Sequence, residues 1–296
     1  MRSLSRFTPA KRRLVCIDSD GCAFDTMEIK HKECFCPAYI GHFSLQPISK
    51  YAREAWEYTN LYSTSRGMHR FITLLLSLDL LSCRREVCER GFTVPNREAL
   101  RRWIDEAPRL SNDLLLTAAK ARPEAPVLLR AYEWSLDVNE RISRLVHGIP
   151  PFPHVASCLQ ALHAHADIVV VSATQEAALA REWAEHGLDA FVDCLCGQET
   201  GGKQAVIARL ASAYTPDHIL MIGDAPGDRQ AAEANNAHFY PIRPGEESES
   251  WQEFAGLIDA FLRGAYARAV EQACICRFET RLPSTPPWQA AARIPV

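Results

Sequence analysis

The sequence predicts an α/β protein: a parallel sheet flanked by helices, plus an inserted all-helical domain. Three observations carry this reading. A short apolar run, residues 14–17, ends abruptly in the acidic turn Asp18-Ser19-Asp20-Gly21. From about residue 150, short β-prone runs alternate with helical patterns, the rhythm of a parallel sheet covered on both faces. Between them, residues 27–149 show helical patterns and few strand signals.

Each element follows in order. Residues 1–13 carry Arg2, Arg6, Lys11, Arg12 and Arg13 and read as a frayed basic tail, without the apolar segment of a secretory signal. Leu14, Val15, Cys16 and Ile17 form the continuous apolar run expected of a strand buried on both faces. Helical patterns then cover 48–61, 68–81, 96–104, 111–121 and 125–146, with Pro95, Pro108, Pro123 and Pro126 at their boundaries. In the last of these, Leu128, Leu129, Tyr132, Leu136, Ile142 and Leu145 roughly keep the 3.6-residue period. Beyond a Gly/Pro-rich junction at 148–153, helices at 155–165, 175–186, 203–213 and 226–235 alternate with strands at 167–171, 191–195, 218–222 and 237–242. A closing amphipathic helix is expected over 251–267. The proline-punctuated stretch 271–296 reads as a tail. The expected organisation is a discontinuous core, 14–26 and 150–270, with a helical domain at 27–149 inserted after the first strand.

Composition narrows the function. The 296 residues are 47% hydrophobic and 23% charged, which excludes a disordered chain. Asp plus Glu (36) exceed Lys plus Arg (33), which argues against a nucleic-acid binder. No run of about 18 apolar residues is present, so no membrane partner and a cytoplasmic location are expected. Three of the eleven cysteine positions begin a Cys-x-Cys pair: Cys34/Cys36, Cys194/Cys196 and Cys274/Cys276. None has the two-residue spacer of a zinc ribbon or redox motif. They read as free thiols serving as small buried hydrophobes, with a metal or redox site as the alternative.

The chemistry gathers at strand ends. Asp18 and Asp20 close the first strand, where open α/β sheets bind ligands, and their i, i+2 spacing points both carboxylates to one side. Ser172 follows the second strand, Lys203 opens a helix after Gly201-Gly202, and Gly223-Asp224 follows a later strand with Asp228 four residues on. Four junctions thus present polar groups suited to phosphate chemistry.

The set Val-Cys-Ile-Asp-Ser-Asp-Gly, Val-Val-Val-Ser-Ala-Thr, Lys203 and Met-Ile-Gly-Asp-Ala-Pro-Gly-Asp resembles the four motifs of the haloacid dehalogenase superfamily. The insertion resembles the helical cap of its first cap class. The resemblance implies a HAD-like, Rossmann-like core and a Mg²⁺-dependent phosphatase acting on a small phosphorylated metabolite. Asp18 matches the nucleophile that forms an aspartyl-phosphate, and Asp20 the general acid/base whose backbone carbonyl also ligates the metal. Ser172 matches the hydroxyl that binds a phosphoryl oxygen, with the backbone at Ala173 beside it. Lys203 matches the cation that neutralises nucleophile and phosphoryl group. Asp18, Asp20 and Asp224 match the Mg²⁺ site, and Asp228 the group that holds the metal's waters or orients Lys203. The acid at position 20 favours phosphoryl transfer over carbon–halogen cleavage, because dehalogenases of the superfamily lack it.

Two positions depart from the family pattern. Cys22 stands where Thr is usual, and Ser19 where a large apolar residue is frequent. In the insertion, Arg66, His69 and Arg70 in the segment Ser63–Arg70, together with His31, are candidate substrate contacts; a helix cap with a solvated charged face is the alternative. Arg66 and Arg70 would share a face if both are helical. Three further functions stay open: a sugar-phosphate phosphomutase, a phosphonate hydrolase and a non-catalytic binding module.

Overall fold

The protein is described here by a computed structural model covering residues 4–290. Among those residues the chain divides into two compact units, 4–27 with 148–283, and 28–147 with 284–290.

The first unit is built on five parallel strands: β1 (Leu14–Ile17), β2 (Asp167–Val171), β3 (Cys194–Cys196), β4 (Ile219–Gly223) and β5 (His238–Pro241). Their order is β3-β2-β1-β4-β5, which puts β1 at the centre. Every residue of these strands is buried, as a sheet covered on both faces demands. Side chains alternate between two cores. Val15, Ile17, Ile168, Val170, Leu220 and Ile222 enter one. Leu14, Cys16, Val169, Val171 and Met221 enter the other, with Cys194 and Cys196. Eight of the eleven cysteines are buried and all are free, so these thiols serve as small core residues. Ile17 pairs with Val170 and with Ile222, so β1, β2 and β4 end together and their next residues leave the sheet at one edge.

Several boundaries differ from expectation. Residues 188–191 form a 3₁₀ turn, and β3 starts only at Cys194. The closing helix is broken at Gly256 into Glu247–Ala255 and Ile258–Leu262. The tail expected from 271 is instead, at first, the helix Arg268–Thr280. Glu271 is a carboxylate on the buried side of this helix. Here its carboxylate accepts hydrogen bonds from the Phe239 N–H at 2.9 Å and lies 2.7 Å from His238 Nδ1, which lets Cys274, Ile275 and Phe278 bury beside it. Residues 291–296 of the expected tail lie outside the described residues. The basic segment is not frayed near its end either. The Ala10 and Lys11 N–H groups donate to the buried Asp167 carboxylate, and Arg13 Nε donates to Leu262 O at 2.8 Å. A buried carboxylate and the orphan carbonyls of helix ends need such donors. Arg2 lies outside the described residues.

The second unit is helical. Its longest helix, Pro126–Leu145, starts on a proline at its first position and buries Leu128, Trp134 and Val138. Trp56, Trp134, Tyr39, Phe43 and Phe71 fill its core. Lys30–Phe35 winds as a π-helix, a rare form that periodicity in the sequence does not reveal. Trp288, from the C-terminal segment, lies against Arg84, whose guanidinium carbon is 4.4 Å from the indole and 4.6 Å from the Tyr51 ring. No helix among the described residues is long and apolar enough to cross a membrane.

Candidate active site

The site forms where β1, β2 and β4 end. Gly21 turns the chain out of β1 with a positive φ of 73°, a conformation that glycine adopts without cost. The N–H groups of Cys22, Ala23 and Phe24 all donate to Ser19 O, so the residues after the strand fold into one tight loop. Asp18 is held at the base of this loop by its N–H, which donates to Ile222 O of β4 at 3.0 Å.

Lys203 opens the helix Lys203–Ala211, and its ammonium donates to Asp18 Oδ2 and Asp228 Oδ1, both at 2.5 Å. Asp228 sits in the first turn of the helix Pro226–Glu233, and its Oδ2 accepts from the Asp224 N–H at 3.1 Å and the Ala225 N–H at 3.0 Å. Asp228 therefore ties Lys203 to the loop that carries Asp224. Burial raises Asp18 well above the usual carboxylate range; Lys203 opposes this, while Asp228 and Asp224 add to it. Burial alone would lower Lys203, but the Asp18 and Asp228 carboxylates outweigh it and raise it, so the ammonium stays charged.

Asp20 occupies a different setting. Thr26 Oγ1 donates to its Oδ1 at 2.5 Å, and Thr174 Oγ1 to its Oδ2 at 2.8 Å. The Thr174 N–H donates to Ser172 Oγ at 3.1 Å. Thr174 thus joins the residue after β2 to the second carboxylate of β1. Ser172 is itself anchored, its N–H donating to Cys196 O of β3. Ala173 is exposed between them. Cys22 is fully buried and its thiol donates to Ile222 O at 3.6 Å. Burial first, then the Asp224, Asp18 and Asp228 charges, hold that thiol well above its ordinary range.

The carboxyl oxygens of Asp18, Asp224 and Asp228 lie within 4.8 Å of one another, and all three residues are buried. Three carboxylates against one ammonium leave an excess of negative charge in a buried place, which is costly without a cation. An all-oxygen donor set of this kind suits a hard divalent ion such as Mg²⁺. Asp228 already accepts three hydrogen bonds, two of them from the backbone of its own loop, whereas each Asp18 oxygen accepts one, so Asp18 and Asp224 are the better side-chain donors.

The structure therefore gathers Asp18, Lys203, Asp224 and Asp228 directly, and links Asp20 to Ser172 through Thr174. The remaining candidates belong to the helical unit. Arg66 lies in the turn before the helix Arg70–Ser82, so it shares no helix face with Arg70; its Nη1 donates to Leu61 O at 2.9 Å. His69 is the residue that caps this helix, accepting from the Phe71 N–H, and burial with the adjacent Arg70 lowers it to about 4. Arg70 donates to Ser135 Oγ at 3.1 Å and Asn139 Oδ1 at 2.8 Å, and burial lowers it to about 10. His31 stacks on Phe35 at 4.7 Å, and the Arg70 guanidinium lies 5.1 Å from the same ring. The sequence alone gives neither Thr174 nor Thr26 a role beside Asp20. The signal for Thr174 was its place two residues past Ser172 in the same strand-end loop.

A parallel sheet with a carboxylate–lysine cluster at the end of its central strand places its polar groups where open α/β sheets bind ligands. A family model of haloacid dehalogenase-like hydrolases matches residues 13–236, and the chain belongs to that family. Solved structures similar to it include a HAD-superfamily hydrolase of subfamily IA, variant 1, from Geobacter sulfurreducens, at 14% identity over 79% of this chain and 89% of that one (TM-score 0.36). A predicted phosphoglycolate phosphatase of Haemophilus somnus shares 13% identity over 78% and 85% (TM-score 0.46). A haloacid dehalogenase-like family hydrolase of Xanthomonas campestris shares 12% over 86% and 94% (TM-score 0.45). No curated protein matches the chain significantly.

Proposed function

We propose that this hydrolase is a Mg²⁺-dependent phosphatase that cleaves a small phosphorylated metabolite through an aspartyl-phosphate on Asp18. The observation that supports it most is the Lys203 ammonium bridging Asp18 and Asp228 beside Asp224, with a second carboxylate, Asp20, held apart on two hydroxyls. Asp18 and Asp224 side chains and the Asp20 carbonyl would hold Mg²⁺, which when bound offsets the charge between an anionic nucleophile and an anionic phosphate.

The chain's own groups account for the rest. Lys203 holds Asp18 Oδ2 and keeps positive charge at the phosphoryl position. An Asp18 oxygen attacks phosphorus as the phosphorus–oxygen bond to the leaving group breaks. Asp20 gives that leaving oxygen a proton, then takes one from the water that attacks the aspartyl-phosphate. Thr26 and Thr174 orient the Asp20 carboxyl for both transfers. Ser172 Oγ and the backbone at Ala173 bind phosphoryl oxygens. Thr174 donates its N–H to Ser172 and its hydroxyl to Asp20, which keeps the phosphate subsite and the proton donor in a constant relation.

The test is phosphate release from a panel of sugar phosphates, nucleotides, phosphoglycolate and phosphonoacetaldehyde, with Mg²⁺ and with a chelator. Release from at least one ester, abolished by the chelator, supports the reading. Isomerisation of a hexose 1-phosphate without release would replace it with a mutase. Release only from the phosphonate would replace it with a phosphonate hydrolase.

A further inference from the structure

Ser19 lies between the two carboxylates of the β1 loop, fully buried, although a polar side chain there needs partners. It has them. Trp183 Nε1 donates to Ser19 Oγ at 3.0 Å, and Ser19 Oγ donates to Glu182 Oε2 at 3.1 Å. Both partners come from one helix, Glu176–Glu185. The Ser19 backbone is equally committed. Its N–H donates to Asp18 Oδ1 at 2.7 Å, and its carbonyl accepts the loop N–H groups of Ala23 and Phe24 at 2.9 and 3.0 Å. Trp183 is itself fixed, fully buried and edge-on to Phe24 with ring centroids 5.6 Å apart.

We propose that Trp183 and Glu182 are positioning residues that act through Ser19 to set the angle of the Asp18 carboxylate; this rests on the phosphatase reading of Asp18. The two Asp18 oxygens have separate holders. Lys203 takes Oδ2, and the Ser19 N–H takes Oδ1. The direction of that N–H depends on the tilt of the peptide between residues 18 and 19. The indole N–H and the Glu182 carboxylate clamp the Ser19 hydroxyl from two sides and so hold the residue that carries this peptide. A large apolar residue at position 19 would hold the loop by packing; in this chain a hydrogen-bonded relay does so. Both bonds end on the Ser19 hydroxyl, so their loss lowers turnover by misplacing the nucleophile rather than by weakening substrate binding.

The experiment compares kcat and KM on p-nitrophenyl phosphate with Mg²⁺ for the wild type, Trp183→Phe, Ser19→Ala and the double variant. Trp183→Phe keeps the ring and its contact with Phe24 but loses the N–H. Each single variant is expected to lower kcat about tenfold with KM changed by less than about twofold. The double variant is expected to be no slower than the slower single one, because both remove the same bond. Glu182→Ala should lower kcat, and Glu182→Gln, whose amide oxygen still accepts, should restore most of it. With ¹⁵N-labelled tryptophan, one indole N–H resonance, absent in Trp183→Phe, should shift in Ser19→Ala. Unchanged kcat in Trp183→Phe, or losses that multiply in the double variant, would overturn the relay while leaving the phosphatase reading intact. A wild type that turns over no phosphate ester would instead remove the reading itself, and the relay's catalytic role with it.

Discussion

A Cβ added to Gly223 would stand 2.4 Å from the Asp228 carboxyl carbon, closer than real side chains approach. The last residue of β4 is glycine because the carboxylate that organises Lys203 and the Asp224 loop passes directly over it. Gly223→Ala should therefore push Asp228 away, release the Asp224 and Ala225 N–H groups and loosen Lys203. The expected cost is about 2 kcal/mol of stability and at least about a tenfold fall in turnover. Urea unfolding and initial-rate measurements on the same preparation check both.

Lys203→Met removes the ammonium that bridges Asp18 and Asp228. Two buried carboxylates would then face each other without an ammonium, at a cost of about 3 kcal/mol. Turnover should fall about a thousandfold, because the cation is lost where charge develops. Turnover within about twofold of wild type would exclude the role given to Lys203.

Glu271 supplies a pH dependence of stability. Burial would raise its carboxyl, but the hydrogen bonds from His238 and the Phe239 N–H, with the Arg268 charge, hold it below its usual 4.5. A depressed folded-state value means the unfolded chain binds the proton more readily. The stability contributed by Glu271 is thus present above pH 4.5 and lost as pH falls below it. Glu271→Gln should lower the urea midpoint at pH 6–7, and the gap from wild type should narrow below about pH 4.

In the helical unit, Trp288→Ala should remove the indole stacked on Arg84 and its edge contact with Tyr58, centroids 5.6 Å apart. A loss of about 2 kcal/mol is expected. Trp288→Phe, which keeps an aromatic face over the guanidinium, should recover part of it. Thermal melting of the two variants decides.

The strand ends were legible in the sequence because each is a run of four or five apolar residues stopped by a polar one. Asp18, Ser172 and Asp224 stand at those stops, and Lys203 was marked by the two glycines before it. What escaped depends on partners far along the chain. Trp183 meets Ser19 across 164 positions, and no local pattern reports that contact. The helix Arg268–Thr280 was hidden for the same reason: Glu271 becomes tolerable inside only when His238 and Phe239 are beside it. Arg66 and Arg70 show the reverse case, a condition that the local pattern could not decide. Their spacing suits a helix, but the helix begins at Arg70.

The phosphoryl group proposed to ride on Asp18 can be trapped there. During steady-state turnover with Mg²⁺, the enzyme is quenched and reduced with borohydride, which converts an aspartyl-phosphate to homoserine, and the peptide containing residue 18 is read by mass spectrometry. Homoserine is expected at position 18, dependent on substrate and Mg²⁺, and absent from Asp18→Asn, which also loses turnover. Asp18→Asn with wild-type phosphate release, or modification at another residue, would contradict it.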